Sequence, residues 1–221
     1  MARLARALGE PTRIRMLTLL MDGRALTAKE LAYGSGVEPA TATAHLRRLA
    51  ADALVAVRPQ GRHKYFRLAT PAVARCIEAM LVVARPRTSP TDEPPLAHEA
   101  ARFCYDHLAG QLGIALAAGL VGRCWLEVER GAFAPTARGR AGFREFGIDL
   151  DALARGRRLL APACLDWSER RDHVGGALGA ALAGRLLELR WIRRPPTPRA
   201  VAVTPRGKDG LRASFGIDLP A

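Results

Sequence analysis

TAKELAYGSGVEPATATAHLRRLAADALVAVRPQGRHKYFRL, Thr27 to Leu68, is the stretch whose reading decides the fold. Thr27 can cap a short helix, and Glu30 three residues on closes a capping box around Leu31 and Ala32. Gly34 and Gly36 bracket a turn. A second helix starts at Pro39, where the missing N–H costs nothing, and its apolar side runs through Ala42, Leu46 and Leu49. The remaining face carries Thr41, Thr43, His45, Arg47 and Arg48, whose hydroxyl, imidazole and guanidinium groups suit base edges and phosphates in a major groove.

Beyond this helix, Leu54 to Val57 reads as a strand, Gln60 to Lys64 as a tight polar turn and Tyr65 to Leu68 as the returning strand. Arg58, Arg62, His63, Lys64 and Arg67 fall within ten residues, so the hairpin can lie on a phosphate backbone or enter a minor groove. A solvated basic turn on a helical bundle is the plainer reading of the charges alone. The ordered set of helix, turn, basic helix and basic hairpin favours DNA.

Working outward, Pro11 to Met21 has the spacing of an amphipathic helix, with Ile14, Leu17, Leu20 and Met21 on one face and Asp22-Gly23 as its stop. Thr70 can cap a helix from Pro71 to Ala84 with an apolar stripe of Val73, Ile77, Met80 and Leu81. Cys76 beside that stripe reads as a small packed hydrophobe.

ALGEPTRIRMLTLL from Ala7, the reading unit, and GRHKYFRL from Gly61 together resemble the winged-helix repressors of the ArsR/SmtB family. The resemblance covers roughly residues 1–85, and His45 to Leu49 matches the family's recognition-helix ending. It implies a homodimer on double-stranded DNA at an inverted-repeat operator, with the amino-terminal and post-wing helices forming the dimer interface. Ala53 stands where the family usually has glycine. No cysteine pair lies in the first reading helix and no spaced Asp and His ligands lie in the post-wing helix, so neither familiar metal site is expected.

The chain of 221 residues, 49% hydrophobic, is long enough for two domains with real cores. Its net charge of +13 is uneven: residues 1–85 carry 14 basic and 6 acidic side chains, against 20 and 15 in the longer remainder, so charge density is higher where DNA would be read. No apolar run reaches membrane-spanning length and the amino terminus lacks a signal-peptide core, which places the expected protein in the cytoplasm, away from membranes, with reduced cysteines.

The expected organisation is a DNA-binding and dimerisation domain over residues 1–85, a Pro-rich linker over 86–95 and a carboxy-terminal domain over 96–221. That last domain repeats itself. His107 to Leu116 matches His173 to Leu182, Trp125-Leu matches Trp191-Ile, and Phe146-Gly-Ile-Asp-Leu150 recurs as Phe215-Gly-Ile-Asp-Leu219. The fold class expected is mainly α with short β-hairpins (α+β): a winged helix-turn-helix domain followed by a duplicated helix-hairpin-helix domain. Thr136 and Thr204 should cap the second helices, and Gly147 and Gly216 stop them.

The remaining chemistry sits in Cys104-Tyr-Asp106-His107 and in Cys164 to His173. Read as helix starts, these place Cys104 and His107 on one helical face, make Asp166 and Glu169 a capping box, and carry His173 nearly two turns into its helix. Cys104, His107, Cys164 and His173 then form a candidate set for zinc, copper(I), nickel or trivalent arsenic, or for a thiol-reactive effector. In the structural alternative the cysteines are core, the histidines buried and hydrogen-bonded. Phe103, Trp125, Trp167 and Trp191 suggest either an organic-ligand pocket between the copies or simple core. No nucleophile elbow, phosphate loop or dinucleotide fingerprint accompanies them, so an enzyme is not expected. Two functions stay open: a repressor whose operator affinity an effector changes at the carboxy-terminal domain, or a ligand-independent architectural or interaction protein in which that domain is scaffold.

Overall fold

The computed structural model describes residues 1–61, 63–84, 100–197 and 199–219. The linker expected at 86–95 and the wing residue Arg62 lie outside them. The chain divides into two compact units, Met1–Met80 and Leu81–Ala221.

In the first unit, α1 (Ala2–Leu8), α2 (Pro11–Leu19), α3 (Ala28–Ser35) and α4 (Pro39–Ala51) pack with a three-stranded sheet of β1 (Leu26–Thr27), β2 (Val55–Gln60) and β3 (His63–Leu68) in the order β1-β3-β2. Glu10 opens α2 by accepting from the backbone of Thr12 and Arg13. After a short 3-10 turn, Leu20–Asp22, Gly23 ends the segment at φ 75°. The capping box forms: the Thr27 hydroxyl accepts from Glu30 N, and the Glu30 carboxylate accepts from Thr27 N at 2.7 Å. Gly36 closes α3 at φ 68°, a left-handed geometry that glycine adopts without a Cβ clash. Leu17, Leu20, Met21, Leu31, Leu46, Leu49 and Leu68 are buried, as is Ala42 on α4.

Two details differ from the sequence expectation. Both hairpin strands run further, with the turn starting at Gly61 at φ 57°, and β1 adds a third strand through Leu26↔Phe66 and Thr27↔Tyr65. A two-residue β1 has too little pattern to be seen without its partner. Along α5 (Pro71–Ala84), Ile77 of the expected stripe is buried, but Met80 is 39% and Val83 86% exposed. With α1, this helix lines an apolar groove of Met1, Leu4, Leu8, Cys76 and Met80.

Ala53, between α4 and β2, sits at φ 54°, which explains why glycine is usual there. Left-handed backbone crowds a Cβ, so Ala53→Gly is expected to raise stability by about 1 kcal/mol, read as a higher urea midpoint.

The second unit opens on a hairpin, β4 (Arg102–Cys104) and β5 (His107–Ala109), followed by α6 (Gly110–Gly122), a hairpin of β6 (Leu126–Glu129) and β7 (Ala132–Pro135), α7 (Ala137–Glu145) and α8 (Leu150–Ala154). The order then recurs: hairpin β8 (Ala163–Leu165) and β9 (Asp172–Val174), α9 (Gly176–Glu188), hairpin β10 (Ile192–Arg193) and β11 (Ala202–Val203), and α10 (Pro205–Phe215). Thr136 caps α7 by accepting from Gly139 N, and Thr204 caps α10 by accepting from Gly207 N. Cys124 and Arg190 occupy the left-handed joint between helix and hairpin that Ala53 fills in the first unit, at φ 56° and 58°.

Strand pairing knits the two runs together. Phe133 N donates to Ala161 O at 2.8 Å, while Phe103 N donates to Arg199 O at 2.7 Å, so the later hairpin of each run reaches the segment beginning the other. One core results, with Phe103, Leu112, Leu120, Phe143, Leu178, Leu186, Leu211 and Phe215 among its members. Of the aromatic residues considered for a ligand pocket, Phe103 and Trp191 are buried in this core and Trp125 packs against it, 5.1 Å from Phe143 edge to face, whereas Trp167 stacks under Arg102 at 4.7 Å.

The helix starts expected at Cys104 and Cys164 are wrong. Both segments are antiparallel hairpins, in which Cys104↔His107 and Cys164↔His173 are cross-strand partners. The physical reason lies in the turns, which use left-handed Tyr105 (φ 62°) and Arg170 (φ 54°) where glycine or asparagine would have signalled a hairpin. Asp166 still accepts from Ser168 N and Glu169 N, but it caps a hairpin loop rather than a helix. The helices begin later, at Gly110 and Gly176.

Candidate nucleic-acid interface and a buried Cys2His2 cluster

Two sites emerge, one in each unit. On α4, Thr41, Arg47 and Arg48 are exposed, whereas Thr43 and His45 are half-buried. The Thr43 hydroxyl donates to Pro39 O at 2.8 Å, and His45 Nδ1 lies 3.4 Å from the Glu10 carboxylate, joining α4 to the head of α2. Arg48 pairs with Asp52 at 3.1 Å, one turn further on. Thr41 and Arg47 are therefore the α4 side chains least engaged by the fold.

Cross-strand partners share a face of a hairpin. The register Ala56↔Arg67, Arg58↔Tyr65 and Gln60↔His63 puts Arg58, His63 and Arg67 on the outer face of the wing, opposite Phe66 and Leu68, which point into the core. Lys64 occupies the inner register at the exposed tip. A basic helix beside a basic, solvent-facing hairpin defines a winged helix-turn-helix that binds DNA.

In the second unit the hairpins β4–β5 and β8–β9 bring Cys104, His107, Cys164 and His173 together, with one donor atom from each within 4.8 Å of all the others. The two sulfurs are 3.9 Å apart and the imidazole centroids 5.1 Å. Cys104, His107 and His173 are buried and Cys164 half-buried. Nε2 of His107 and both ring nitrogens of His173 are buried without a hydrogen bond of good geometry, while Nδ1 of His107 faces Asp106.

Close packing sets this geometry. A Cβ on Gly113 would lie 2.5 Å from Leu108 O, and one on Gly179 would lie 2.2 Å from Val174 O and 3.0 Å from the His107 Cβ. Each helix thus approaches a hairpin only because it lacks a side chain there. Behind each imidazole stands an aspartate that an arginine holds. His107 Nδ1 is 3.4 Å from Asp106, which accepts from Arg158 at 2.6 Å; His173 Nδ1 is 3.9 Å from Asp166, which accepts from Arg102 at 2.6 Å. Asp166 and Arg102 are fully buried, and Gly110 N also donates to Asp166 at 2.7 Å.

Burial opposes a charge on His107, but the hydrogen bond to Asp106 and the Cys164 sulfur outweigh it and raise the pKa to about 9. The contact with Cys104, opposed by burial and aided by the two imidazoles, holds the Cys164 thiol well below its usual value. Burial also opposes ionisation of Asp166, yet the Arg102 guanidinium keeps its carboxyl below the ordinary carboxylate range. A thiolate facing imidazoles is a donor set for a metal ion or a nucleophile for a thiol-reactive compound.

Sequence reasoning named the four donors but missed Arg102 and Arg158. A lone arginine inside Ala101-Arg-Phe-Cys104 was the available signal, since an arginine in an apolar strand needs a buried partner.

A helix-turn-helix domain model matches residues 8–58. The chain is 40% identical to the uncharacterized HTH-type transcriptional regulator YdfF of Bacillus subtilis over 221 residues, covering 99% of this chain and 98% of that protein. It is 35% identical to the HTH-type transcriptional regulator CmtR of Mycobacterium tuberculosis over 101 residues, 46% of this chain and 83% of the relative. Among solved structures, the homodimeric winged helix-turn-helix domain of Mb0332 from Mycobacterium bovis, described as a possible ArsR-family regulator, is 35% identical with a TM-score of 0.36, over 38% of this chain and 76% of that one. The chain belongs to the ArsR family of HTH-type transcriptional regulators, and it acts as a sequence-specific DNA-binding regulator.

Proposed function

We propose that the protein is a homodimeric repressor that binds an inverted repeat and changes its operator affinity when an effector occupies Cys104, His107, Cys164 and His173. One observation carries this reading: the four donors, from two separate hairpins of the second unit, form a single largely buried cluster. In this proposal residues 1–85 bind DNA and dimerise through α1 and α5, whose apolar groove awaits a second copy. Residues 86–95 link them to residues 96–221, a duplication in which each copy contributes one cysteine and one histidine. The protein works in the cytoplasm, where its DNA lies, as a regulator and not an enzyme.

Thr41, Thr43, His45, Arg47 and Arg48 are the proposed groove-facing set and Arg58, Arg62, His63, Lys64 and Arg67 the wing set. Arg58→Ala combined with Lys64→Ala is expected to weaken operator and unrelated DNA alike, and to reduce the salt dependence of binding by about two charges. Fluorescence anisotropy across a salt series measures this; a loss restricted to the operator would mean that the wing reads bases. If the effector couples by the usual ~1–3 kcal/mol, it releases the operator roughly 5- to 150-fold. Footprinting on the protein's own upstream region tests the repeat, and the absence of a protected palindrome would overturn it. Operator affinity that no metal, oxidant or thiol reagent changes would favour the scaffold reading instead.

A further inference from the structure

We propose that the Cys104, His107, Cys164 and His173 cluster is a closed tetrahedral site for a borderline d10 divalent cation, zinc in kind, which staples the β4–β5 hairpin to the β8–β9 hairpin. The proposal deepens the effector reading above and rests on it for its regulatory meaning, but the site itself stands on geometry.

The sulfur spacing selects the coordination. With metal–sulfur bonds of about 2.3 Å, two thiolates 3.9 Å apart subtend an angle of about 116° at the ion, close to tetrahedral. Linear coordination by two thiolates, as copper(I) favours, would push the sulfurs further apart and leave both imidazoles idle. Trivalent arsenic takes thiolates, and only two are present.

The imidazoles are prepared for the same role. Nδ1 of His107 faces Asp106 and Nδ1 of His173 faces Asp166, which leaves each Nε2 as the donor. A Cβ built on Gly175 would lie 3.7 Å from His107 Nε2 and 3.4 Å from the Cys164 Cβ, so that nitrogen and the Cys164 side chain border the same small space. A carboxylate behind each ligating histidine fixes ring orientation and raises its basicity, the usual arrangement of a metal-binding histidine. Arg158 and Arg102 hold those carboxylates in turn.

All four positions are filled by protein and the cluster is largely buried, which leaves no open position for a water or substrate. That is the form of a structural or regulatory site rather than a catalytic one. Binding converts thiol and imidazolium to thiolate and neutral imidazole, releasing their protons to solvent, so affinity falls as pH falls.

The test uses the reduced, chelator-treated full-length protein titrated with zinc and with cobalt(II) as a spectroscopic stand-in. One equivalent per chain is expected, with intense visible bands of tetrahedral cobalt(II), thiolate-to-cobalt charge transfer, and displacement by zinc. Cys164→Ser should abolish the charge-transfer intensity that Cys164 supplies, and Asp106→Asn should weaken zinc binding roughly 10- to 100-fold while preserving the tetrahedral spectrum. A weak octahedral cobalt spectrum in the wild type, which needs no variant to fold, would overturn the site. So would a reduced protein that takes no ion but readily forms a Cys104–Cys164 disulfide. Tetrahedral binding with unchanged operator affinity would uphold the site and refute the effector reading.

Discussion

Asp166→Ala is expected to cost about 3–5 kcal/mol of folding stability, because it removes the carboxylate counter-charge of a fully buried guanidinium. Arg102 is 0% exposed and its Nη2 donates to Asp166 at 2.6 Å. The same carboxylate accepts from Gly110 N, Ser168 N and Glu169 N, so truncation also orphans the donors that hold the second hairpin's loop and the start of α6. The effect should depend on pH with a definite sign. The folded pKa of Asp166 lies below its unfolded value, so the carboxylate's contribution is complete above about pH 4 and is lost as pH falls through the folded pKa. Urea midpoints of wild type and variant should therefore converge in acid. Replacing both partners with apolar residues, Arg102→Met with Asp166→Leu, should recover most of the loss, since the penalty comes from a buried charge that has lost its counter-charge. A loss under about 1 kcal/mol for Asp166→Ala would show that water reaches Arg102 and that the pair does not hold the hairpins together.

The second large effect concerns two glycines at matching places. A Cβ on Gly139 would lie 1.9 Å from Trp125 O, and one on Gly207 would lie 1.9 Å from Trp191 O. Both obstacles are backbone, so the helix or the hairpin must move. Gly139→Ala and Gly207→Ala are each expected to destabilise by about 3 kcal/mol despite a gain of about 1 kcal/mol in helix propensity. Gly184 on α9 meets nothing within 4 Å and supplies the control: Gly184→Ala should stabilise by about 1 kcal/mol. Thermal or urea denaturation of the three variants separates the outcomes. Equal behaviour of all three would mean that the helices do not depend on these close approaches.

Where a feature is written in neighbouring residues, sequence was enough. The capping box at Thr27 and Glu30, the start of α4 at Pro39, its buried Ala42, Leu46 and Leu49, and the Thr136 and Thr204 caps are all as read, because each is satisfied within about one helical turn. Ala53 is instructive in another way. Its departure from the usual glycine is visible in the sequence, and the structure supplies the cost, a left-handed backbone.

The cluster in the second unit shows the limit. Composition offered four soft donors, yet their spacing was read along helices that do not exist, since Tyr105 and Arg170 turn the chain without glycine. The four donors converge through pairing of short strands, through Gly113 and Gly179, and through a salt bridge between residues 102 and 166. By itself the sequence determined the winged helix-turn-helix, because local capping and periodicity suffice for it. Only the tertiary structure decided that Cys104, His107, Cys164 and His173 meet, because three-residue strands carry almost no local signal and are held by partners some sixty residues away.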